Sequence, residues 1–167
     1  MISAFVPIAI LQGSIMLIDE FFFHHKRGLP RWERIGHPLD TITVLTCLLF
    51  LYFTDPTPTT VPIYYCLAIG SCLFVTKDEW VHWKYCGPAE LWLHALLFLL
   101  HPALLFTAMF GWESQKENFL MVISVVAIFL VYQIVYWNFI ETHQRKVRQK
   151  ASYARLSKED LYEYFGE

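Results

Sequence analysis

The sequence predicts an all-α, polytopic integral membrane protein with five transmembrane helices, its N-terminus outside and its C-terminus inside the cell. Two observations predict the fold class. The chain of 167 residues is 56% hydrophobic and only 17% charged, and its apolar residues form long, nearly uncharged blocks rather than amphipathic stripes. A third observation, the distribution of lysine and arginine, predicts the orientation. The same composition excludes a disordered chain, which would be rich in charge and poor in aromatic residues.

Five apolar blocks follow one another along the chain, at residues 2–23, 39–53, 61–75, 89–111 and 119–140. A transmembrane helix needs roughly 17–25 apolar residues, and the second block reaches this length only with its flanking Pro38 and Thr54. Proline or glycine occurs in each of the first three segments that connect these blocks, which is typical of helix ends. The first block lacks the basic start and the cleavage motif of a secretory signal, so we expect it to remain as a membrane helix.

Basic residues predict the orientation of these helices. If the first helix starts outside, twelve of the 13 lysines and arginines face the cytoplasm, and only Lys116 lies outside. This asymmetry follows the positive-inside rule. We therefore expect a multi-pass protein of a bacterial cytoplasmic (inner) membrane, with a transmembrane domain at residues 1–141 and a cytoplasmic tail at residues 142–167.

The tail differs in composition from the rest of the chain, because it is basic first and acidic last. Ser157 followed by Asp160 is typical of a helix N-terminus. Leu161, Tyr164 and Phe165 would form the apolar face of this short amphipathic helix. Two interpretations stay open: the helix folds back over the cytoplasmic end of the bundle, or the tail is frayed.

Histidines and most carboxylates fall on the cytoplasmic half of the predicted bundle. Helical spacing of three, four or eleven residues places a carboxylate and an imidazole on one face of each of four helices. These pairs are Glu20 with His24, His37 with Asp40, Asp78 and Glu79 with His82, and Glu90 with His94 and His101. Four helices therefore present both kinds of group at a similar membrane depth.

This pattern predicts a metal centre. Ionisable groups inside a membrane are costly unless they are paired in the bundle interior, and divalent cations neutralise clustered carboxylates. Carboxylate and imidazole ligands suit iron, manganese or zinc. We expect two divalent metal ions, with iron favoured over zinc and manganese. The predicted ligands are Glu20, His24, His37, Asp40, Asp78, Glu79, His82, Glu90, His94 and His101.

One motif is similar in kind to those of di-iron proteins. Four-helix di-iron bundles use Glu-x-x-His motifs on facing helices, and Glu79-x-x-His82 has this spacing. The histidine boxes of membrane fatty-acid desaturases and hydroxylases, HxxxH and HxxHH, are absent. Glu79 and Glu90 are the predicted catalytic carboxylates.

Other polar residues have simpler interpretations. Asp19 shares the cytoplasmic side with the other carboxylates, but it also lies at a helix end, where charges commonly anchor a helix at the membrane interface, so both interpretations stay open. Glu33 and Arg34 are expected to form a solvated loop pair. His25 points about 100° away from its neighbouring histidine, and His143 lies beyond the last helix. We expect substitutions of Glu33 and His143 to be close to silent.

The sequence thus predicts a membrane-embedded, metal-dependent enzyme, with a non-haem di-iron hydroxylase or desaturase favoured. Its partners would be a lipid or other hydrophobic substrate at the cytoplasmic interface, the membrane lipids and a cytoplasmic electron donor, since the chain has no Gly-rich nucleotide loop. No nucleic-acid partner is expected. Three alternatives stay open: a zinc-dependent membrane hydrolase, a metal or proton transporter, and a non-enzymatic assembly subunit.

Overall fold

The structure, a computed structural model, describes residues 4–79, 82–83 and 86–145, except for the side chains of Arg27, Arg31 and Asp78. These residues are almost entirely helical and contain no β-strand. Five long α-helices follow in chain order: α1 (Phe5–Ile18), α2 (Arg31–Phe53), α3 (Thr60–Phe74), α4 (Pro88–Phe110) and α5 (Lys116–Val135). The predicted tail helix lies outside the described residues.

Three helices change their geometry at the same end of the bundle. α1 continues as a π-helix at Asp19–His24 and a short α-helical turn at His25–Arg27. α3 tightens into a 3₁₀ turn at Val75–Asp78, and α5 continues as a second π-helix at Tyr136–Ile140. Because these forms have different numbers of residues per turn, they change which side chains share a helix face. We call this end of the bundle, where α4 begins, the cluster end.

Each of the five helices, taken with its extension, is long and apolar enough to cross a membrane. The apolar spans are Phe5–His24, Trp32–Phe53, Thr60–Lys77, Pro88–Phe110 and Lys116–Arg145. A multi-pass membrane protein fits this arrangement, because spans of about 20 residues match the thickness of the hydrocarbon core.

α2 begins about two turns earlier than the second apolar block, and it continues through an internal proline. Pro38 has no N–H to bond the carbonyl of Arg34, four residues earlier. That carbonyl instead accepts a hydrogen bond from Nδ2 of Asn138, at 3.4 Å. Asn138 lies in the second π-helix. The carbonyl that Pro38 leaves without a helical partner therefore joins α2 to the end of the fifth span by a hydrogen bond.

Gly28 ends the extension of α1. It has a φ of +73°, which side chains with a Cβ rarely adopt, and its N–H donates to the carbonyl of His24 at 2.7 Å. A Cβ at this position would also meet the guanidinium of Arg145 at 2.8 Å. Glycine is therefore required for the backbone turn, whereas the flexible end of the Arg145 side chain could move away from a Cβ.

A dense apolar core closes the end of the bundle opposite the cluster end. Phe5 of α1 and Phe119 of α5 are fully buried, and their ring centroids lie 5.1 Å apart in an edge-to-face arrangement. The buried hydroxyl of Tyr64 donates to the carbonyl of Leu105 at 2.7 Å. Other members of this core are Leu48, Leu51, Leu104, Ala108 and Trp112.

Candidate metal centre

Four buried side chains meet at the cluster end. They are Asp19 and His24 from the extension of α1, and Glu90 and His94 from the first turns of α4. One ligand atom from each residue lies within 4.8 Å of the others, and every residue is less than 5% exposed. We call these four residues the Asp19 group. Its donors are imidazole nitrogens and carboxylate oxygens, which suit iron, manganese or zinc.

Asp19 lies between two histidines. Its Oδ2 is 3.2 Å from Nε2 of His24 and 3.1 Å from Nε2 of His94. The ligands of a tetrahedral ion bound at 2.0–2.2 Å are roughly 3.4 Å apart, so the distance from Asp19 to each histidine is close to that between two ligands of one ion. In the part of the chain that the structure describes, Oδ1 of Asp19 and Nδ1 of His94 are buried without a hydrogen-bond partner. Buried polar atoms normally have a partner, and a bound ion would engage this carboxylate.

The π-helix explains why sequence reasoning left Asp19 out of the predicted ligands. In an α-helix, residues five apart point about 140° away from each other. In a π-helix, the hydrogen bonds run between residues five apart, which brings Asp19 and His24 onto one face. The interpretation of Asp19 as an interfacial anchor was therefore wrong, since the side chain is buried inside the bundle.

Glu20 contacts the ring nitrogen of His24 that faces away from the Asp19 group. Its Oε2 lies 3.3 Å from Nδ1 of His24, and its Oε1 accepts a hydrogen bond from the indole Nε1 of Trp137. If Nδ1 of His24 carries the proton and donates it to Glu20, the unprotonated Nε2, which can bind a metal, faces Asp19 and Glu90. Metal-binding histidines commonly have a carboxylate on the other ring nitrogen, which fixes the tautomer and the ring orientation. Glu20 was a predicted ligand, and the structure places it beside the Asp19 group rather than in it.

Three more residues extend the site towards α2: Glu33 and His82 are buried, and His37 is half-buried. The ring of His82 lies 3.9 Å from the ring of His94, centroid to centroid, and its Nε2 lies 3.8 Å from Oε1 of Glu33. The ring of His37 lies 4.8 Å from that of His24 and 6.4 Å from that of His82. We call Glu33, His37 and His82 the His82 group.

The expectation that Glu33 is solvated was wrong. Because α2 begins at Arg31, Glu33 lies in its first turn, and its side chain is fully buried at 0% exposure. Arg34 is also mostly buried, and its guanidinium lies 3.1 Å from the carboxylate of Glu141. His143 is exposed, which confirms the expectation for that residue. Residues 31–37 are mainly polar, so the search for apolar blocks placed the start of this helix too late.

Glu79 does not belong to the site, so the prediction that it is a ligand and a catalytic residue was wrong. Its side chain is exposed. The preceding 3₁₀ turn at Val75–Asp78 advances by about 120° per residue instead of 100°. Four such residues shift the helical phase by about 80°, which turns Glu79 away from the bundle. The side chain of Asp78, another predicted ligand, lies outside the described part of the structure.

Two further predicted ligands have other partners. Both carboxylate oxygens of Asp40 accept hydrogen bonds from Nζ of Lys77, at 2.8 and 2.7 Å. Nε2 of His101 lies 2.9 Å from the hydroxyl of Ser71. His101 is also seven residues from His94 on α4, which is a rise of about 10 Å. Both residues border the cavity next to the site, but neither belongs to the Asp19 group.

A cavity of about 230 Å³ leads away from the site. α1 packs against α4, and α5 packs against α2. Residues of all four helices line the cavity, which therefore lies between these two pairs. Leu17 and Val125 lie at its rim, and they are 47% and 62% exposed. The cavity therefore reaches the outer surface of the bundle between α1 and α5. Its apolar walls include Ala9, Met16, Leu97, Phe98, Val122 and Phe129.

The site thus combines a buried set of hard and borderline ligands with a largely apolar cavity that opens at the side of the bundle. Such a set can bind a divalent cation, and the cavity can bring a hydrophobic molecule next to it. Comparison of the chain with protein-family models, with curated proteins and with solved structures finds no match.

Proposed function

We propose that the protein is a membrane-embedded metalloenzyme, a non-haem di-iron oxidoreductase that hydroxylates or desaturates a lipid or another hydrophobic substrate. The observation that carries this proposal is the position of the Asp19 group, buried at one end of an apolar cavity that opens between α1 and α5. A metal next to an apolar, laterally open cavity suits chemistry on an unactivated hydrocarbon better than chemistry on a polar solute.

One metal ion would be held by the Asp19 group. In the part of the chain that the structure describes, the ion-pair partners of Asp19 are histidines, not lysine or arginine. A divalent cation would neutralise this carboxylate together with the buried carboxylate of Glu90, which would otherwise repel each other. The chemistry that iron supplies when bound is the activation of dioxygen.

The His82 group supports the proposal of a second ion. Glu33 and His82 are buried, Oε1 of Glu33 lies 3.8 Å from Nε2 of His82, and the ring of His82 lies next to that of His94, tilted by 38° to it. A carboxylate and two imidazoles next to a first metal position are the kind of ligands found in dinuclear iron proteins. The alternative is zinc or manganese at the same positions, and metal analysis distinguishes these ions from iron.

The substrate would enter from the bilayer. Leu17 and Val125 present apolar surface at the rim, where lipid chains would lie in a membrane. We place the cluster end on the cytoplasmic side, because Lys26, Arg34 and Lys77 lie near it and Lys116 lies near the opposite end. A cytoplasmic electron donor could then reduce the metals over a short distance.

The apolar core favours an enzyme over a transporter. Between the cavity and the opposite end of the bundle, the described interior is filled by side chains such as Phe5, Leu105 and Phe119. A metal or proton path would need polar groups through this layer. A zinc-dependent hydrolase stays the main alternative enzyme, and an assembly subunit is the alternative if no metal binds.

A single-turnover experiment tests the proposed reaction without the natural electron donor. Detergent-solubilised protein is loaded with ferrous iron, chemically reduced, mixed with a bacterial lipid extract and exposed to dioxygen. Mass spectrometry should detect lipids that gained one oxygen atom or lost two hydrogen atoms. Asp19→Asn should abolish these products, whereas the exposed His25→Ala should retain them. Iron-loaded protein that leaves every lipid unchanged would contradict the proposal.

A further inference from the structure

Gln12 is a buried amide in the apolar part of the cavity. It lies on α1, it is only 6% exposed, and it borders the cavity together with Ala9, Gly13 and Met16. Among residues 4–79, 82–83 and 86–145, no group donates a hydrogen bond to its Oε1. The helix itself does not require an amide here, because a leucine at this position would suit the apolar surroundings.

A second glutamine in the cavity shows how such an amide is normally satisfied. Oε1 of Gln133 accepts a hydrogen bond from the hydroxyl of Thr41 at 2.7 Å, and Gln133 is 2% exposed. Leaving a buried acceptor without a donor costs its full desolvation penalty, most of all inside a membrane, where water is scarce. Gln12 therefore has the properties of a binding residue whose partner is a ligand.

We propose that Oε1 of Gln12 accepts a hydrogen bond from a hydroxyl or amide N–H of the substrate. The inference rests on the proposed function, because it takes the reacting end of the substrate to lie at the Asp19 group. Gln12 precedes Asp19 by seven residues, a rise of about 10 Å along α1. The substrate class is then a hydrophobic chain with a hydrogen-bond donor about 10 Å from the carbon that reacts.

The size of the cavity restricts the substrate further. A cavity of about 150 Å³ holds a benzene ring, so 230 Å³ accommodates a chain segment of about eight to ten carbons. A Cβ built on Gly13, which faces this cavity, meets nothing within 4 Å. The absence of a side chain at Gly13 thus keeps room for one chain next to Gln12, and a lipid would insert a single chain.

Photolabelling in detergent tests this inference. The probe is a ten-carbon alkane that carries a diazirine, and labelling is measured on the peptide that contains Val125 and Phe129. The unlabelled competitors are decane, 1-decanol and 2-decanone. In the wild-type protein, 1-decanol should compete up to about tenfold better than decane, the effect expected of one buried hydrogen bond. In Gln12→Leu this advantage should disappear, because the variant has no acceptor for the hydroxyl. Both competitors partition into the micelles equally in the two experiments, so a difference between the two proteins reports binding in the cavity.

Two controls make the result specific. Gly13→Leu fills the cavity and should reduce labelling by the probe itself. Asp19→Asn removes a proposed metal ligand and should leave the advantage of 1-decanol intact. An equal advantage in Gln12→Leu and the wild type, or a better competition by 2-decanone than by 1-decanol, would overturn the inference and leave the metal proposal standing. A protein that binds no metal but retains the Gln12-dependent advantage would contradict only the proposed function.

Discussion

Oδ2 of Asp19 lies 3.2 Å from Nε2 of His24, although the two residues are five apart along one helix. The same oxygen lies 3.1 Å from Nε2 of His94 on α4. A π-helical segment makes the first contact, and the packing of α1 on α4 makes the second. A single carboxylate thus joins the two helices that carry the proposed metal position. π-Segments within helices occur frequently at functional sites.

We predict that Asp19→Asn lowers the affinity for ferrous iron by more than about 100-fold, because the change removes a charged ligand and keeps its size. Titration with ferrous iron under anaerobic conditions, followed by metal analysis after desalting, measures this. Glu79→Gln makes the same chemical change at an exposed carboxylate and should bind iron like the wild type. Equal iron affinity in the two variants would remove Asp19 from the site.

Trp137→Phe should weaken metal binding by about 10–100-fold, although the indole lies beyond the proposed ligands. Its Nε1 donates to Glu20, which orients His24, and losses of this size are typical of groups that orient a ligand. Trp112→Phe is a matched control, because Nε1 of that buried indole donates to the carbonyl of Thr54 at the opposite end. If both variants bind the metal equally well, Glu20 does not position His24.

Ser71→Ala should lower stability and leave metal binding unchanged. The hydroxyl of Ser71 lies 2.9 Å from Nε2 of the buried His101, and removing it leaves that nitrogen unpaired, at a cost of about 1–3 kcal/mol. Denaturant unfolding in detergent measures the loss. Ser14→Ala, at an exposed hydroxyl that bonds its own helix, should change stability by much less. A loss of metal in Ser71→Ala would make His101 a ligand after all.

Metal removal should destabilise the protein. A ligand that binds only the folded state stabilises it by mass action, by about 2.7 kcal/mol when its free concentration is 100 times its Kd. A chelator should therefore lower the unfolding temperature of the wild type, and added ferrous iron should restore it. Asp19→Asn should show neither response. An unfolding temperature that is indifferent to chelator and iron would indicate that the Asp19 group packs without a metal.

The five helices were predictable from sequence because length and apolarity alone decide which segments can cross a membrane. The start of α2 was not predictable in this way. Glu33 and Arg34 suggested a solvated connector, yet both lie in the first turns of α2. Glu33 is buried against His82, and Arg34 pairs with Glu141. These partners come from distant parts of the chain, so nothing in the local sequence indicated that the charged residues could be buried in a helix.

The candidate site was predictable where the helices are regular. Glu90 and His94, four apart in α4, share the face that α-helical spacing predicts. Asp19 was left out of the predicted ligands and Glu79 was wrongly included, because a π-helix and a 3₁₀ turn change the angle between successive residues. Testing a spacing of five residues at the end of the first block would have paired Asp19 with His24.

The metal content of protein purified without chelator tests the central claim most directly. We predict about two iron ions per chain in the wild type and in His25→Ala, whose histidine is exposed beside the site. His94→Ala should lose this iron and keep the helix content of the wild type by circular dichroism. Wild-type protein that holds no metal, or His94→Ala with the full metal content, would contradict the account and favour a non-enzymatic assembly subunit.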